Sequence, residues 1–370
     1  MRVVFHIGLN KAGSTYLQDA LTFNKERLAA SGIAYPNAPA VTVGQSSTQG
    51  GNGPEVTNAL RDRDAGHLAD ALGALVGKAG GAEILLISNE SAYHQVVERE
   101  RLSMLLTAFG TLGFDDARLV VIFRNVYTHA ISAYAHRAGS HGAGNRPLPD
   151  FSKWIRPDDL GDPKGAFQTR RPFTDVYEFW SEFPRFAQRL TEDGERAKFE
   201  FLRQESDILG GFGTLLGVGL LPPGKPRSNV SMNLLEAELA RQLLSVSPTV
   251  ARAYRRLAKE TPSECKASDQ WLRNAYYDEI EKNLPDFRAE LDVLRKHFGD
   301  GAGSILDRPS TLVDVRGSLE RPSGLSDTQV EILIRSIRVS ERKRRIDVLK
   351  GMIPRPLKTL GKHFLRRRGG

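Results

Sequence analysis

The segment from Gly8 to Thr15 has the residue types of an anion-binding loop. Residues 2–7 form the apolar, β-branched run typical of a buried strand, and Ser14 marks the start of a helix. Two glycines and Lys11 lie between these elements. A helix N-terminus binds phosphate or sulfate through its unpaired N–H groups and dipole, and a lysine adds a full positive charge. We therefore predict a phosphate or sulfate site in this loop.

The position of the lysine separates this loop from the Walker A loop of ATPases and GTPases. In a Walker A loop the lysine comes directly after the last glycine and directly before Ser or Thr. Here Lys11 precedes Gly13, Ser14 and Thr15, and Ala12 lies between. This order argues against an ordinary ATPase or GTPase.

A second phosphate site is predicted after the strand at residues 118–123. Arg124 follows this strand, and Ser132 lies eight residues later in the next helix. Arginine supplies a forked, permanently charged donor and serine supplies a hydroxyl, which suits a phosphate that is bound but not transferred. The two motifs together indicate a ligand with two anionic groups.

These motifs resemble those of sulfotransferases that use 3′-phosphoadenosine 5′-phosphosulfate (PAPS), most closely the bacterial carbohydrate and glycolipid type. The family's 5′-phosphosulfate loop commonly reads His-x-Gly-x-x-Lys-Thr-Gly-Thr/Ser-Thr-x-Leu-Gln. Residues 6–18 match it, with Ala12 in place of the first Thr, and the family's 3′-phosphate motif fits Arg124, Ser132 and Tyr134. Smaller similarities occur at residues 32–36, 87–90 and 229–231, so the resemblance covers residues 1–235.

The resemblance implies a role for each binding residue. The 5′-phosphosulfate would be held by Lys11, Ala12, Gly13, Ser14 and Thr15, and the 3′-phosphate by Arg124 and Ser132. Lys11 would neutralise the charge that develops on the leaving phosphate. Sulfuryl transfer resembles phosphoryl transfer in depending mainly on positioning and charge stabilisation, and this scheme requires no metal ion. Arg227, in a late basic loop, would close over the nucleotide, although an ordinary solvated turn is the alternative.

The acceptor hydroxyl needs a general base near the transferred group. Glu90 is the first choice, because it follows the predicted strand at residues 83–88 at the expected edge and because the resemblance to related sulfotransferases with a catalytic glutamate at a similar stage favours it. A capping or ion-pair role for Glu90 is the alternative. His94 is the second candidate, since histidine accepts a proton near neutral pH. His6 lies inside a strand and is expected to be packed or hydrogen bonded.

The elements that must position these residues alternate between strand and helix. This pattern predicts an α/β fold of P-loop-like topology, with helices on both sides of a central, mainly parallel sheet and a helical C-terminal extension. Ligands of such sheets bind at the carboxyl ends of the strands. Residues 8–15, 89–91 and 124–125 should therefore meet at one edge. We also expect a long loop from Pro36 to Pro54 and an aromatic helix over residues 173–190.

The chain divides into three predicted parts. They are a PAPS-binding α/β domain at residues 1–235, a helical extension at 236–340 that packs on or completes it, and a basic amphipathic tail at 341–370. The tail has eleven Lys or Arg and two Asp or Glu, so it carries +9 while the whole chain carries +8. Such a tail binds anionic lipid or acidic polysaccharide, or is simply a solvated terminus.

Composition bears on compartment and partners. A single cysteine, Cys265, excludes an internal disulfide framework and fits a reducing compartment. The sequence has neither a signal-peptide pattern nor a run of about 20 apolar residues that would span a bilayer. We expect a cytoplasmic protein, with peripheral contact at the inner membrane face through the tail as a further option. The expected partner is a carbohydrate or glycolipid acceptor, and nucleic acid is not expected.

Two other functions remain open at this point. A nucleotide kinase or NTPase would share the anion-binding loop but would depend on Mg²⁺. A non-catalytic nucleotide-binding protein at a membrane surface would keep the loop and use the basic tail. A sulfotransferase would instead take PAPS as co-substrate and release adenosine 3′,5′-bisphosphate.

Overall fold

The structure is a computed structural model of the chain. It describes residues 1–9, 12–36, 51–139, 151–155, 174–194, 196–204, 207–223, 233–260 and 266–309, together with Ile332 and Arg335. Predictions about Lys11, Arg227, Cys265 and the tail at 341–370 lie outside these residues.

Five parallel strands form the central sheet, in the order β2-β3-β1-β4-β5. The strands are β1 (Arg2–His6), β2 (Ile33–Ala34), β3 (Ile84–Ser88), β4 (Asp116–Phe123) and β5 (Lys198–Arg203). Every pair of neighbours is parallel, with His6 opposite Ser88 on one side and Val120 on the other. The predicted α/β class and parallel sheet are thus confirmed.

Fourteen α-helices are described. They are α1 (Ser14–Phe23), α2 (Lys25–Ala30), α3 (Pro54–Asp62), α4 (Ala65–Lys78), α5 (Tyr93–Val96), α6 (Arg99–Thr111), α7 (Val126–Gly139), α8 (Phe151–Trp154), α9 (Thr174–Asp193), α10 (Ile208–Leu216), α11 (Leu234–Val246), α12 (Pro248–Glu260), α13 (Lys266–Asn283) and α14 (Arg288–Phe298). Short 3₁₀ turns occur at Glu90–Ala92 and Asp300–Leu306.

The strand order explains the three layers of the fold. The chain runs outward from β1 to β2 and then back across the sheet to β3, β4 and β5. Because the crossovers are right-handed, the helices that connect strands in these two directions lie on opposite faces of the sheet. Accordingly α1 packs with α2 and α10, whereas α4 packs with α3 and α6. Since β3 and β4 lie on either side of β1, the crevice expected of such sheets lies at the carboxyl end of β1.

An aromatic cluster fills the core between the sheet and α9. Phe123 lies 5.3 Å from both Phe186 and Phe201, measured between ring centroids, and 6.0 Å from Tyr93. Phe183 and Phe186 are completely buried. The predicted aromatic helix thus does contribute a core-packing stripe, as its spacing indicated.

Hydrogen bonds of the Asn52 side chain hold residues 51–53 at the edge of the sheet. Its side chain donates to the carbonyls of Pro36 (2.9 Å) and Leu86 (3.0 Å) and accepts from the Ser88 amide (2.8 Å). Gly53 also donates to the Ser88 carbonyl at 3.2 Å. The predicted loop from Pro36 to Pro54 therefore has both ends held at the carboxyl end of β3.

The helices after residue 234 pack around α7. Contacts join α7 to α11, α12 and α13, and Tyr134 of α7 donates to Glu238 of α11 at 2.9 Å. Asn125 connects the start of α7 to the last 3₁₀ turn, because its side chain donates to the carbonyls of Ser304 (3.2 Å) and Asp307 (2.7 Å). The same side chain accepts from the amides of Tyr127 and Thr128, and so caps α7.

Substitutions of Asn125 should separate its role as the cap of α7 from its role as a donor to the last 3₁₀ turn. Asn125→Ala loses the cap and both carbonyl contacts, so we expect the free energy of unfolding to fall by about 2 kcal/mol. Asn125→Asp keeps the cap but cannot donate to the two carbonyls. Hydrogen exchange should therefore accelerate at residues 300–309 in both variants, and at the first turn of α7 only in Asn125→Ala. Equal protection of residues 300–309 in all three proteins would contradict this account.

Candidate functional site

The loop after β1 ends in an open helix N-terminus. Gly13 precedes α1 and has no side chain, so no described side chain caps the first turn. Ser14 is buried, and its hydroxyl donates to the Leu9 carbonyl over a long 3.3 Å. Ala12 is also buried, and Thr15 is half-buried. The first N–H groups of α1 therefore face the crevice with the positive end of the helix dipole, as an anion site requires.

Both glycines of the loop are required by its geometry. A Cβ at Gly8 would lie 2.4 Å from His6 Nε2 and 2.8 Å from Ser14 Oγ. Gly13 has φ +90°, a left-handed conformation, and a Cβ there would lie 3.0 Å from Ile208 Cδ1. The loop thus packs closely against β1 below it and α10 beside it.

Three strand ends meet at this loop, as the predicted topology required. The Asn89 amide donates to the His6 carbonyl, and the Ile7 amide donates to the Val120 carbonyl, both at 2.9 Å. Glu90 begins the 3₁₀ turn directly after Asn89, and Arg124 directly follows β4. Glu90 and Arg124 therefore stand on either side of β1 at the carboxyl edge of the sheet.

The predicted second phosphate motif lies at the start of α7. From residue 124 to residue 135 every residue is buried except Arg124, Thr128 and Ser132. Thr128 and Ser132 lie four positions apart on one face of α7, and Arg124 lies two residues before the helix begins. Arg124 Nε donates to Thr128 Oγ1 at 3.1 Å, so the arginine side chain lies against the first turn of α7. These three accessible polar side chains are suited to a polar ligand.

The helical extension places charged side chains near Arg124. Arg308 lies with its Cζ 5.7 Å from the centre of the Tyr277 ring, and it pairs with Asp278 and Glu281. Burial raises the pKa of Tyr277, and the neighbouring Arg273, Arg124 and Arg308 partly offset that rise. No pattern in the sequence indicated that residues after 235 approach Arg124.

A groove lies between Tyr16 of α1 and the segment from Asp207 to Pro222. Its volume is about 540 Å³, and Tyr16, Asp207, Leu209 and Pro222 are among the residues that line it. Tyr16 is 41% exposed. The groove thus offers an aromatic face a few residues from the helix N-terminus.

The second candidate base is held by a carboxylate. His94 Nδ1 lies 2.5 Å from Oε2 of Glu182 on α9, and both side chains are mostly buried. Such a pair fixes the orientation of an imidazole. His94 and Glu90 lie in one segment after β3. Which of the two is the base stays a prediction.

Some site residues were not predicted, and the reasons differ. The spacing of four residues between Arg124, Thr128 and Ser132 could have revealed Thr128. Glu182 could not be found in this way, because it lies 88 positions from His94 and meets it only in the folded chain.

His6 is packed and hydrogen bonded, as expected. It is completely buried, its Nδ1 lies 2.9 Å from Ser88 Oγ, and its ring packs edge-on against Phe212. Burial lowers the pKa of His6 from 6.5 to about 3. The imidazole is consequently neutral at any physiological pH.

This buried histidine should make the protein sensitive to acid. Below pH 6.5 the unfolded chain binds a proton at His6 that the folded chain does not, so stability falls as the pH falls toward 3. We expect a loss of about 2 kcal/mol in the free energy of unfolding between pH 7.5 and pH 5 from this group alone. Denaturant titrations of wild type and His6→Asn at both pH values measure it. Identical pH dependence in the two proteins would contradict this assignment.

Comparisons with protein-family models, with characterised proteins and with solved structures found no match to this chain. The resemblance at residues 6–18 and 124–134 therefore stays a prediction. Within the described part of the chain, no helix is long and apolar enough to cross a membrane. Among the same residues, no group of three or more His, Cys, Asp or Glu side chains could hold a metal ion.

Proposed function

We propose that this protein is a sulfotransferase that moves a sulfuryl group from PAPS to a hydroxyl of a carbohydrate or glycolipid. The observation that carries the proposal is that two elements suited to anions lie at one sheet edge. One is the open N-terminus of α1, and the other is formed by Arg124 with Thr128 and Ser132 of α7. The acceptor class rests on the family resemblance alone.

Two separate anion sites favour a nucleotide with phosphate at both ends. PAPS carries its phosphosulfate on the 5′ position and a single phosphate on the 3′ position, so it would occupy both elements. The phosphates of ATP form one continuous chain and would use only the loop. This difference, together with the position of Lys11, favours PAPS over ATP.

The groove beside α1 suits the adenine base. An exposed aromatic ring next to a phosphate site serves as a stacking platform, and such stacking contributes about 1–3 kcal/mol per base. Tyr16 lines the groove, and it lies in the first turn of α1, three residues after Gly13. The proposed nucleotide therefore spans α1, the loop and α7.

The proposed reaction is an in-line displacement at sulfur. The acceptor oxygen forms a bond to sulfur while the bond between sulfur and the 5′-phosphate oxygen breaks, and adenosine 3′,5′-bisphosphate leaves. Glu90 takes the proton of the acceptor hydroxyl. Lys11 and the N–H groups of Gly13, Ser14 and Thr15 neutralise the charge that develops on the leaving phosphate.

Two rival functions make different demands. A nucleotide kinase or NTPase requires Mg²⁺ and a preference for ATP. A non-catalytic nucleotide-binding protein at a membrane surface would bind the bisphosphate without transferring sulfate. His94 with Glu182 is the alternative base within the sulfotransferase proposal, since the carboxylate holds the imidazole in one orientation.

Nucleotide binding tests the proposal first. Calorimetric titration should show that adenosine 3′,5′-bisphosphate binds without metal and more tightly than ATP with Mg²⁺. Arg124→Ala should weaken this binding by about ten- to a hundredfold, because it removes a charged hydrogen-bond donor to phosphate. Arg288→Ala is the matched control, since Arg288 is highly exposed and pairs with Asp286 in the extension. Preference for ATP with Mg²⁺ would overturn the assignment.

Sulfate transfer distinguishes the two candidate bases. With radiolabelled PAPS and a panel of carbohydrates and glycolipids, Glu90→Gln should lower turnover by about 10²–10⁴-fold while bisphosphate binding is retained. His94→Gln should have a much smaller effect. A large loss in His94→Gln with normal turnover in Glu90→Gln would reverse the assignment of the base.

A further inference from the structure

An unpaired nitrogen of His6 lies beneath the anion-binding loop. His6 ends β1 and is completely buried, with Nδ1 2.9 Å from Ser88 Oγ. Its other ring nitrogen, Nε2, is buried and has no hydrogen-bond partner among the described residues. A buried polar atom of this kind costs free energy unless some state of the protein pairs it.

The neighbours of His6 allow its proton to lie on Nε2. The Gln18 side-chain amide donates to Ser88 Oγ at 3.3 Å, and the Ser88 hydroxyl is then able to donate to His6 Nδ1. In this arrangement Nδ1 is the acceptor and Nε2 bears the hydrogen. The hydrogen bonds from Gln18 of α1 and Ser88 of β3 thus leave a neutral imidazole whose Nε2–H has no acceptor among the described residues.

That N–H lies next to Ser14. A single point beside Gly8, where a Cβ would be, is 2.4 Å from His6 Nε2 and 2.8 Å from Ser14 Oγ. The Ser14 hydroxyl donates to the Leu9 carbonyl over a long 3.3 Å. This hydroxyl and Nε2 thus border the same space beside Gly8.

We propose that His6 is a positioning residue of the anion-binding loop, which donates from Nε2 to Ser14 Oγ once the Ser14 hydroxyl has turned from the Leu9 carbonyl to a bound 5′-phosphate. The inference rests on the proposed function, because the nucleotide supplies that phosphate. His6 itself does not touch the nucleotide.

In the resulting series of hydrogen bonds, every donor points in the same direction. Gln18 donates to Ser88, Ser88 to His6, His6 to Ser14, and Ser14 to the phosphate. Aligned hydrogen bonds in a buried environment polarise and strengthen one another. The buried N–H is therefore satisfied only when the anion is bound, which favours the bound state.

The tautomer and its response to ligand can be observed directly. In full-length protein with ¹⁵N-labelled histidine, we expect His6 to be neutral and protonated at Nε2, and His6→Gln identifies its signals. Adenosine 3′,5′-bisphosphate should shift the Nε2–H resonance downfield and slow its exchange with water. Protonation at Nδ1, or an unchanged Nε2 signal in the saturated protein, would overturn the inference.

Two variants of His6 isolate the Nε2 donor. Gln keeps an amide donor near the position of Nε2, whereas Asn keeps a polar contact toward Ser88 and lacks that donor. His6→Asn should weaken bisphosphate binding about tenfold, as for one lost hydrogen bond, and His6→Gln should weaken it less. Thermal unfolding of both variants serves as the folding control.

A double-mutant cycle with Ser14→Ala shows whether the two residues act together. In the Ser14→Ala background the additional effect of His6→Asn should disappear, because the hydroxyl that links His6 to the phosphate is missing. Independent, multiplicative losses would overturn the inference while leaving the proposed function intact. Failure of the wild-type protein to bind the bisphosphate would overturn both.

Discussion

The position of β1 between β3 and β4 is the constraint on which the site depends. The carboxyl ends of parallel strands all lie at one edge of the sheet, and β1 is central because β3 and β4 lie on either side of it. The loop after β1 therefore has Glu90 on one side and Arg124 on the other. The hydrogen bonds from Asn89 to His6 and from Ile7 to Val120 continue the sheet to the residues where the loop begins.

The packing of other helices around α7 is a second consequence of this arrangement. A helix that follows a central strand usually exposes a broad polar face. Here the helices after residue 234 and the last 3₁₀ turn contact α7, and from residue 124 to residue 135 only Arg124, Thr128 and Ser132 remain partly exposed. The extension thus helps to determine which side chains of this segment are accessible.

The sequence predicted those parts of the fold that local pattern determines. The strands β1, β3 and β4 contain continuous apolar runs, and the glycines with Ser14 marked the start of α1. The pattern did not predict β2, which has two residues, or α3, whose Pro54 looked like the end of a loop although proline is well suited to the first turn of a helix. Contacts such as Glu182 with His94, or Asn125 with Asp307, join residues far apart in sequence and leave no periodic signal.

The way Asn52 binds the Pro36 carbonyl has a consequence for how this protein could diversify. Residues 37–50 connect two points that are already hydrogen bonded to each other and to β3. Doubling the length of a chain segment between fixed ends costs only about 0.6 kcal/mol of closure entropy. Insertions, deletions and changes of composition there would leave the sheet almost undisturbed. Homologues could therefore exchange this segment freely while keeping the same sheet.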